Sequence, residues 1–281
     1  MTTRTRDLLL TALAPAIWGS TYIVTTALLP QVPPMTVALL RALPAGLLLL
    51  LAARRLPQGI WWLRVFILGA LNFSVFWSLL FVSAYRLPGG AAATVGAVQP
   101  LVVVFLAVAV LGSAVRPAAV LGALAGLAGV ALLVLTPGAA LDATGIAAGL
   151  AGAVSMACGT VLTRKWRPPV PLRTFTAWQL TAGGLLLVPV ALLVGPHWPA
   201  PTAGHLLGLA WLGLVGAALT YVLWFRGIAR LEPGVVASLG FLSPVTAILL
   251  GWAFLGQTLA GPQIAGVALV LGGIWLGQRN A

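Results

Sequence analysis

Few side chains in this chain could carry covalent chemistry. Its acids are Asp7, Asp142 and Glu232, its histidines His197 and His205, and its one thiol Cys158. The acids fall near the ends of long apolar segments or between them, and both histidines fall in one connecting stretch. An enzyme needs a nucleophile beside a base, or a cluster of metal ligands. These positions assemble neither inside an apolar segment, so no enzymatic activity, cofactor or metal is expected. A single cysteine also rules out an intramolecular disulfide. What remains is non-covalent recognition. Arg41 is the one charge well inside an apolar segment, and an ionisable group in lipid marks a functional position by default. It could meet a substrate carboxylate, reach outward along its own helix, or bond helix carbonyls.

The other candidates are aromatic or uncharged polar. Asn72, Phe76 and Leu80 recur at four-residue spacing, which places them on one helix face. Gly216, Thr220 and Trp224 do the same, with Trp77 and Tyr221 beside the two sets. Trp18 and Tyr22 share a face of the first apolar segment, and their counterparts in the second half are Ser155 and Gly159. Gln99 and Ser243 add an amide and a hydroxyl. Such a lining suits a neutral, partly apolar ligand. Each residue also has a plainer reading. Aromatics pack or face lipid, Asn72 and Gln99 bond between helices, and Ser20, Ser78 and Ser243 bond their own backbone.

The elements that must hold these residues can be read from composition. Of 281 residues, 61% are hydrophobic and 6% charged, whereas soluble domains carry about 25% charged residues. The mean hydropathy is +1.10. A span of about 20 residues plus a short connection leaves room for roughly ten transmembrane helices. Apolar runs bounded by Arg, Pro, Gly or Asp place them near 8–29, 35–53, 63–84, 89–111, 118–136, 145–163, 175–194, 206–228, 234–255 and 261–277. The first run is too long for a signal peptide and lacks a cleavage site, so an uncleaved first helix is expected. The fold class is all-α and membrane-integral.

The net charge of +12 does not indicate nucleic acid, because the basic residues are scattered rather than gathered into a patch. With the N-terminus inside, the predicted spans put Arg4, Arg6, Arg54, Arg55, Arg64, Arg116, Arg164, Lys165, Arg167, Arg173, Arg226, Arg230 and Arg279 on the cytoplasmic side, and Arg86 alone outside. This satisfies the positive-inside rule with both termini cytoplasmic. Trp61, Trp62, Trp166 and Trp198 fall at the expected interfaces.

A repeat runs through the chain. At a shift of 144 residues, Gly69, Phe81, Arg86, Gly90, Ala93, Gly96, Pro100, Gly112, Gly122 and Gly129 meet Gly213, Phe225, Arg230, Gly234, Ala237, Gly240, Pro244, Gly256, Gly266 and Gly273. Chance alignment of apolar runs would match Leu and Ala, not glycine and proline. The reading is two inverted-topology five-helix repeats, residues 1–138 and 139–281, forming one transport unit with a solute site between them. Pro100 and Pro244 fall mid-span, one turn after Gly96 and Gly240, and these four residues read as hinges. The glycine rows at 122–129 read as scaffold.

The motifs Trp18-Gly19-Ser20, Arg41, Pro100 with Leu111-Gly112, Pro244 with Leu255-Gly256, and Gly122 with Gly266 resemble, in order and spacing, the EamA-type branch of the drug/metabolite transporter superfamily. The resemblance covers essentially the whole chain and is closest to bacterial exporters of aromatic and other neutral amino acids. It implies export of a small solute from the cytoplasm across the inner (plasma) membrane. A lipid flippase or a non-catalytic membrane assembly protein are the alternatives. Phosphorylated substrates need several cationic groups, and cationic drugs need a carboxylate, so neutral or zwitterionic solutes remain. No span holds a titratable acid or histidine, so uniport is expected, with a single chain sufficient. The expected partners are the solute and the lipid bilayer.

Overall fold

The computed structural model describes residues 2–87, 94–134, 142–194, 200–256 and 260–278. Pro88, Gly90, Ala93, Pro137, His197, Trp198 and Arg279 lie outside the described residues. Those described form helices and connections, with no strand among them. Among the described residues, eight helices are long and apolar enough to cross a membrane. The chain runs through α1 (Thr3–Leu28), α2 (Pro34–Ala53), α3 (Trp61–Gly69), α4 (Val75–Arg86), α5 (Gln99–Leu111), α6 (Pro117–Val134), α7 (Ala143–Lys165), α8 (Leu172–Val194), α9 (Ala203–Ala210), α10 (Thr220–Arg230), α11 (Pro233–Leu239), α12 (Leu242–Leu255) and α13 (Gly261–Gln278). Large apolar side chains such as Leu193 and Phe254 are 83% and 73% exposed. An outer surface built this way belongs in lipid.

Local chemistry sets the helix ends. The Thr2 hydroxyl accepts from Thr5 N–H, and the Asp142 carboxylate accepts from Gly145 N–H. Each satisfies one of the donors a helix start leaves unpaired. Proline opens α2, α6 and α11, where its missing N–H costs nothing. Gly112 and Gly256 end α5 and α12 in the left-handed conformation, φ +68° and +64°, a backbone state open to glycine without strain. His205, expected in a loop, instead occupies the first turn of α9. Its Nδ1 accepts from the Thr202 N–H, while the Thr202 hydroxyl accepts from the His205 N–H.

Small residues set the packing. Lipid tails supply no hydrophobic drive between helices, so close van der Waals contact must hold them. In the α6/α13 pair, a Cβ on Gly122 would sit 2.5 Å from Gly273 O, and one on Gly266 would sit 2.7 Å from Gly129 O. In the α2/α8 pair the backbone of Gly46 lies against Thr181, and that of Gly184 against Leu43.

Two helical rods are interrupted by π-turns. Residues Ala70–Ser74 join α3 to α4, and Trp211–Leu219 join α9 to α10. A π-turn adds a residue to the ladder, which rotates the C-terminal part of the rod relative to the N-terminal part. Two more rods are interrupted by tight turns, at residues 97–98 before α5 and at 240–241 between α11 and α12, where the backbone stays helical but bonds three residues back. These interruptions fall in the turn before Pro100 and Pro244, where bends were expected, because a proline has no N–H to bond the carbonyl four residues back, here that of Gly96 or Gly240. Both prolines lie in the first turn of the second segment, where few intrahelical bonds are lost.

The charges gather at the ends of the rods. Asp7 was expected ahead of the first helix, but it lies inside α1, is 5% exposed, and pairs with Arg226 and Arg230. Glu232 pairs with Arg116, and Arg164 donates to the carbonyls of Ile228 and Leu231. Arg4 donates to Gln278 O, so both described ends of the chain share this side. Arg86 and Asp142 pair at 3.8 Å. Arg64 stacks over both Trp61 and Trp166.

Candidate solute cavity

A cavity of about 670 Å³ opens between α1, α2, α4, α10 and the two broken rods. That size suits a small organic molecule. From α1 come Trp18, Thr21, Tyr22, Thr25 and Thr26, and from α2 come Val37, Ala38 and Arg41. From α4 come Phe76, Trp77, Leu80 and Phe81, and from α10 Tyr221 and Trp224. The breaks contribute Gly96, Ala97, Gln99 and Pro100 on one side and Gly240, Phe241, Ser243 and Pro244 on the other. The cavity extends to residues 29–34, past Tyr22, which is 59% exposed, whereas Tyr221 and Trp224 are 3% and 2% exposed at the floor.

The floor is built around one carbonyl. Gly216 lies in the second π-turn, where a backbone oxygen can escape its usual partner. Its oxygen accepts from Arg41 Nη2 at 3.0 Å, Trp18 Nε1 at 3.1 Å and Thr220 Oγ1 at 2.9 Å. Trp18 Nε1 also donates to Thr220 Oγ1 at 2.9 Å. The Arg41 guanidinium lies 4.9 Å from the centre of the Trp77 ring, a cation–π distance. Trp18 packs against Tyr221 and Trp224 with ring centres 5.0 and 5.2 Å apart. Phe73 backs Trp77 and Tyr221 edge-on. The Arg41 head is therefore tied to a neighbouring helix rather than reaching outward along its own.

Of the residues singled out from sequence, Trp18, Tyr22, Arg41, Phe76, Trp77, Gln99, Tyr221, Trp224 and Ser243 line this space, with Gly96, Pro100, Gly240 and Pro244. Three do not. Asn72 is fully buried and donates to Thr163 Oγ1 at 3.2 Å and Gln179 Oε1 at 3.0 Å. The four-residue face it was to share with Phe76 and Leu80 is broken by the π-turn in which it sits. Ser155 donates to Leu71 O instead. Thr220 sits behind Trp18 and holds its indole. Ser20 bonds the Ile17 carbonyl and accepts from Trp211. Thr21 and Thr25 were missed, although their three- and seven-residue spacing from Trp18 puts them on its face. A threonine in a helix commonly bonds its own backbone, as Thr25 does to Thr21 O, so neither stands out by type. The Gly216 carbonyl was also missed, because a residue without a side chain leaves no sign of what its backbone accepts.

A second, smaller cavity of about 290 Å³ lies at the charged end, lined by Arg116, Arg164 and Glu232 among others. Among the described residues no group of three or more His, Cys, Asp or Glu could hold a metal ion.

Comparison with known proteins gives a consistent picture. The profile of the EamA-like transporter family matches residues 6–135 and again 143–277. Protein PecM of Dickeya dadantii is 44% identical over 267 residues, covering 94% of this chain and 90% of that one. The Escherichia coli protein named "Uncharacterized inner membrane transporter YedA" is 29% identical, covering 87% and 81%. A Salmonella typhimurium protein named "Probable amino-acid metabolite efflux pump" is 27% identical over 44% of each chain. A solved crystal structure superimposes with a TM-score of 0.83 at 23% identity, covering 98% of this chain and 96% of that one. That last similarity shows the fold alone.

Proposed function

The chain belongs to the EamA-like transporter family, a family of membrane transporters and not of enzymes, and from that premise we propose that it exports small neutral or zwitterionic metabolites, amino acids and aromatic ones among them, across the inner membrane. The observation that carries the reading is the cavity itself. It is large enough for such a solute, walled by aromatic rings, and holds one cation and no acid. Aromatic walls with a few placed polar groups recognise a partly apolar molecule. A phosphorylated solute would find one guanidinium where several are needed, and a cation would find no counter-charge. The efflux-pump name of one relative points the same way.

In this reading the chain is ten helices in two inverted halves of five, residues 1–138 and 139–281, with both termini cytoplasmic and one chain sufficient for transport. Support comes from features that recur at, or within one residue of, the 144-residue shift: left-handed caps at Gly112 and Gly256, turns at 97–98 and 240–241, and overlapping π-turns. The family profile also matches each half separately. The guanidinium-rich end is cytoplasmic by the positive-inside rule. In this reading the solute cavity opens to the outside, and the Asp7, Glu232 and Arg164 contacts form the inner gate. Alternating access exchanges these contacts for a closed outer mouth. No acid lines the cavity, so the solute moves by uniport.

The test is flux in liposomes containing the purified protein, with a panel of amino acids, with and without a proton gradient. Neutral aromatic solutes should exchange and lysine should not, with no added accumulation from the gradient. Exchange of none of them, with lipid scrambling instead, would replace solute export by lipid flipping.

A further inference from the structure

Arg41 has no protein counter-ion. The sequence holds three acidic side chains, and each is paired elsewhere: Asp7 with Arg226 and Arg230, Asp142 with Arg86, Glu232 with Arg116. The guanidinium nonetheless lines the solute cavity, fixed by the Gly216 carbonyl and the Trp77 ring. Nη2 is used in that bond, while Nε is buried without a partner. A second donor on the same floor, the Trp224 indole N–H, is also buried without a partner. Unpartnered donors in a low-dielectric site are costly until an acceptor arrives. An arginine held at a fixed angle matches a carboxylate in plane.

Building on the transport reading, we propose that Arg41 is the carboxylate anchor of the solute site, with Trp224 as its second donor, and that the site recognises aromatic monocarboxylates with or without an amino group. The carboxylate neutralises Arg41 while the ring stacks among Trp18, Trp77 and Tyr221. An ammonium group meets no opposite charge there, only hydroxyls, amide oxygen and ring faces. It is tolerated and contributes little. The favoured solute is therefore defined by its acid end, and a deaminated acid of net charge −1 binds at least as well as the parent amino acid.

The experiment compares phenylalanine, 3-phenylpropanoate and phenylalaninamide as competitors of phenylalanine counterflow in liposomes. In parallel, each is titrated into the detergent-purified protein by tryptophan fluorescence. The acid should compete at least as well as phenylalanine, and the amide at least about tenfold more weakly, the range of a lost charged hydrogen bond. Arg41→Gln should abolish the difference between acid and amide, and Arg41→Lys, which keeps the charge, should keep part of it. An amide that binds as well as phenylalanine, or an Arg41→Gln protein with unchanged preference, would overturn the anchor. Absent counterflow for every solute would defeat the transport reading alone, since the fluorescence titration still decides whether Arg41 selects a carboxylate.

Discussion

At the scale of single residues, two polar side chains that look alike in sequence have opposite jobs. Arg41 lies in the cavity, and Asn72 ties three helices together behind it. The Arg41 position was legible, because a charge within an apolar run is costly unless used. Asn72 was misplaced, since regular four-residue spacing assumes a regular helix and the π-turn at Ala70–Ser74 removes that assumption. Aromatic positions survived better: Trp18, Trp77, Tyr221 and Trp224 all reach the cavity. Large rings fill whichever interior space lies within reach, so small rotations do not exclude them. Replacing Asn72 by Ala should lower stability by about 1 kcal/mol, within the range for interhelical hydrogen bonds in a membrane, while leaving the solute KM unchanged. Thermal unfolding in detergent and transport kinetics check the two halves of that statement. A raised KM at unchanged stability would return Asn72 to the cavity.

At the scale of elements, hydropathy placed the described helices to within about five residues but said nothing of their interruptions. Helix α1 begins at Thr3 rather than near Leu8, so Asp7 became part of a span. Its two arginine partners on α10, far away in sequence, make that burial tolerable and could not be seen from the sequence around it. The breaks beside Pro100 and Pro244 were read as kinks because a proline in an apolar run suggests one. The structure places a tight turn just before each proline, so the bend is sharper than a kink within a regular helix. We predict that these breaks let the inner and outer segments of each rod tilt separately during turnover. Replacing both prolines by alanine should slow transport more than it weakens solute binding. A double variant with the parent rate would remove the hinge role.

At the scale of the whole molecule, orientation and energy coupling decide what the protein accomplishes. A reporter that folds only in the periplasm, fused after Ala281, should be silent. Strong activity there would invert the assignment of the guanidinium-rich end to the cytoplasm. In the proposed cycle the ion pairs at that end form the inner gate, so Glu232→Gln together with Asp7→Asn should favour the inward-open state. Labelling of cysteines at the cytoplasmic end should rise accordingly, and unchanged labelling would mean that other contacts close it. Both carboxylates are locked to arginines and lie away from the solute, so neither is placed to couple protons to it. An imposed pH step without a solute gradient should drive no net accumulation. Accumulation abolished by an ionophore and by either carboxylate variant would establish proton coupling.

The central claim is that the solute passes through the cavity between α1, α2, α4 and α10. Thr21 lines it without any assigned contact to the solute, and Cys158 is the chain's only native thiol. In a Cys158→Ser background, Thr21→Cys would be modified with a bulky, membrane-impermeant methanethiosulfonate, and phenylalanine counterflow measured before and after. The account predicts that modification blocks flux and that prior addition of solute slows the modification. A fully modified protein that transports at the unmodified rate would contradict it.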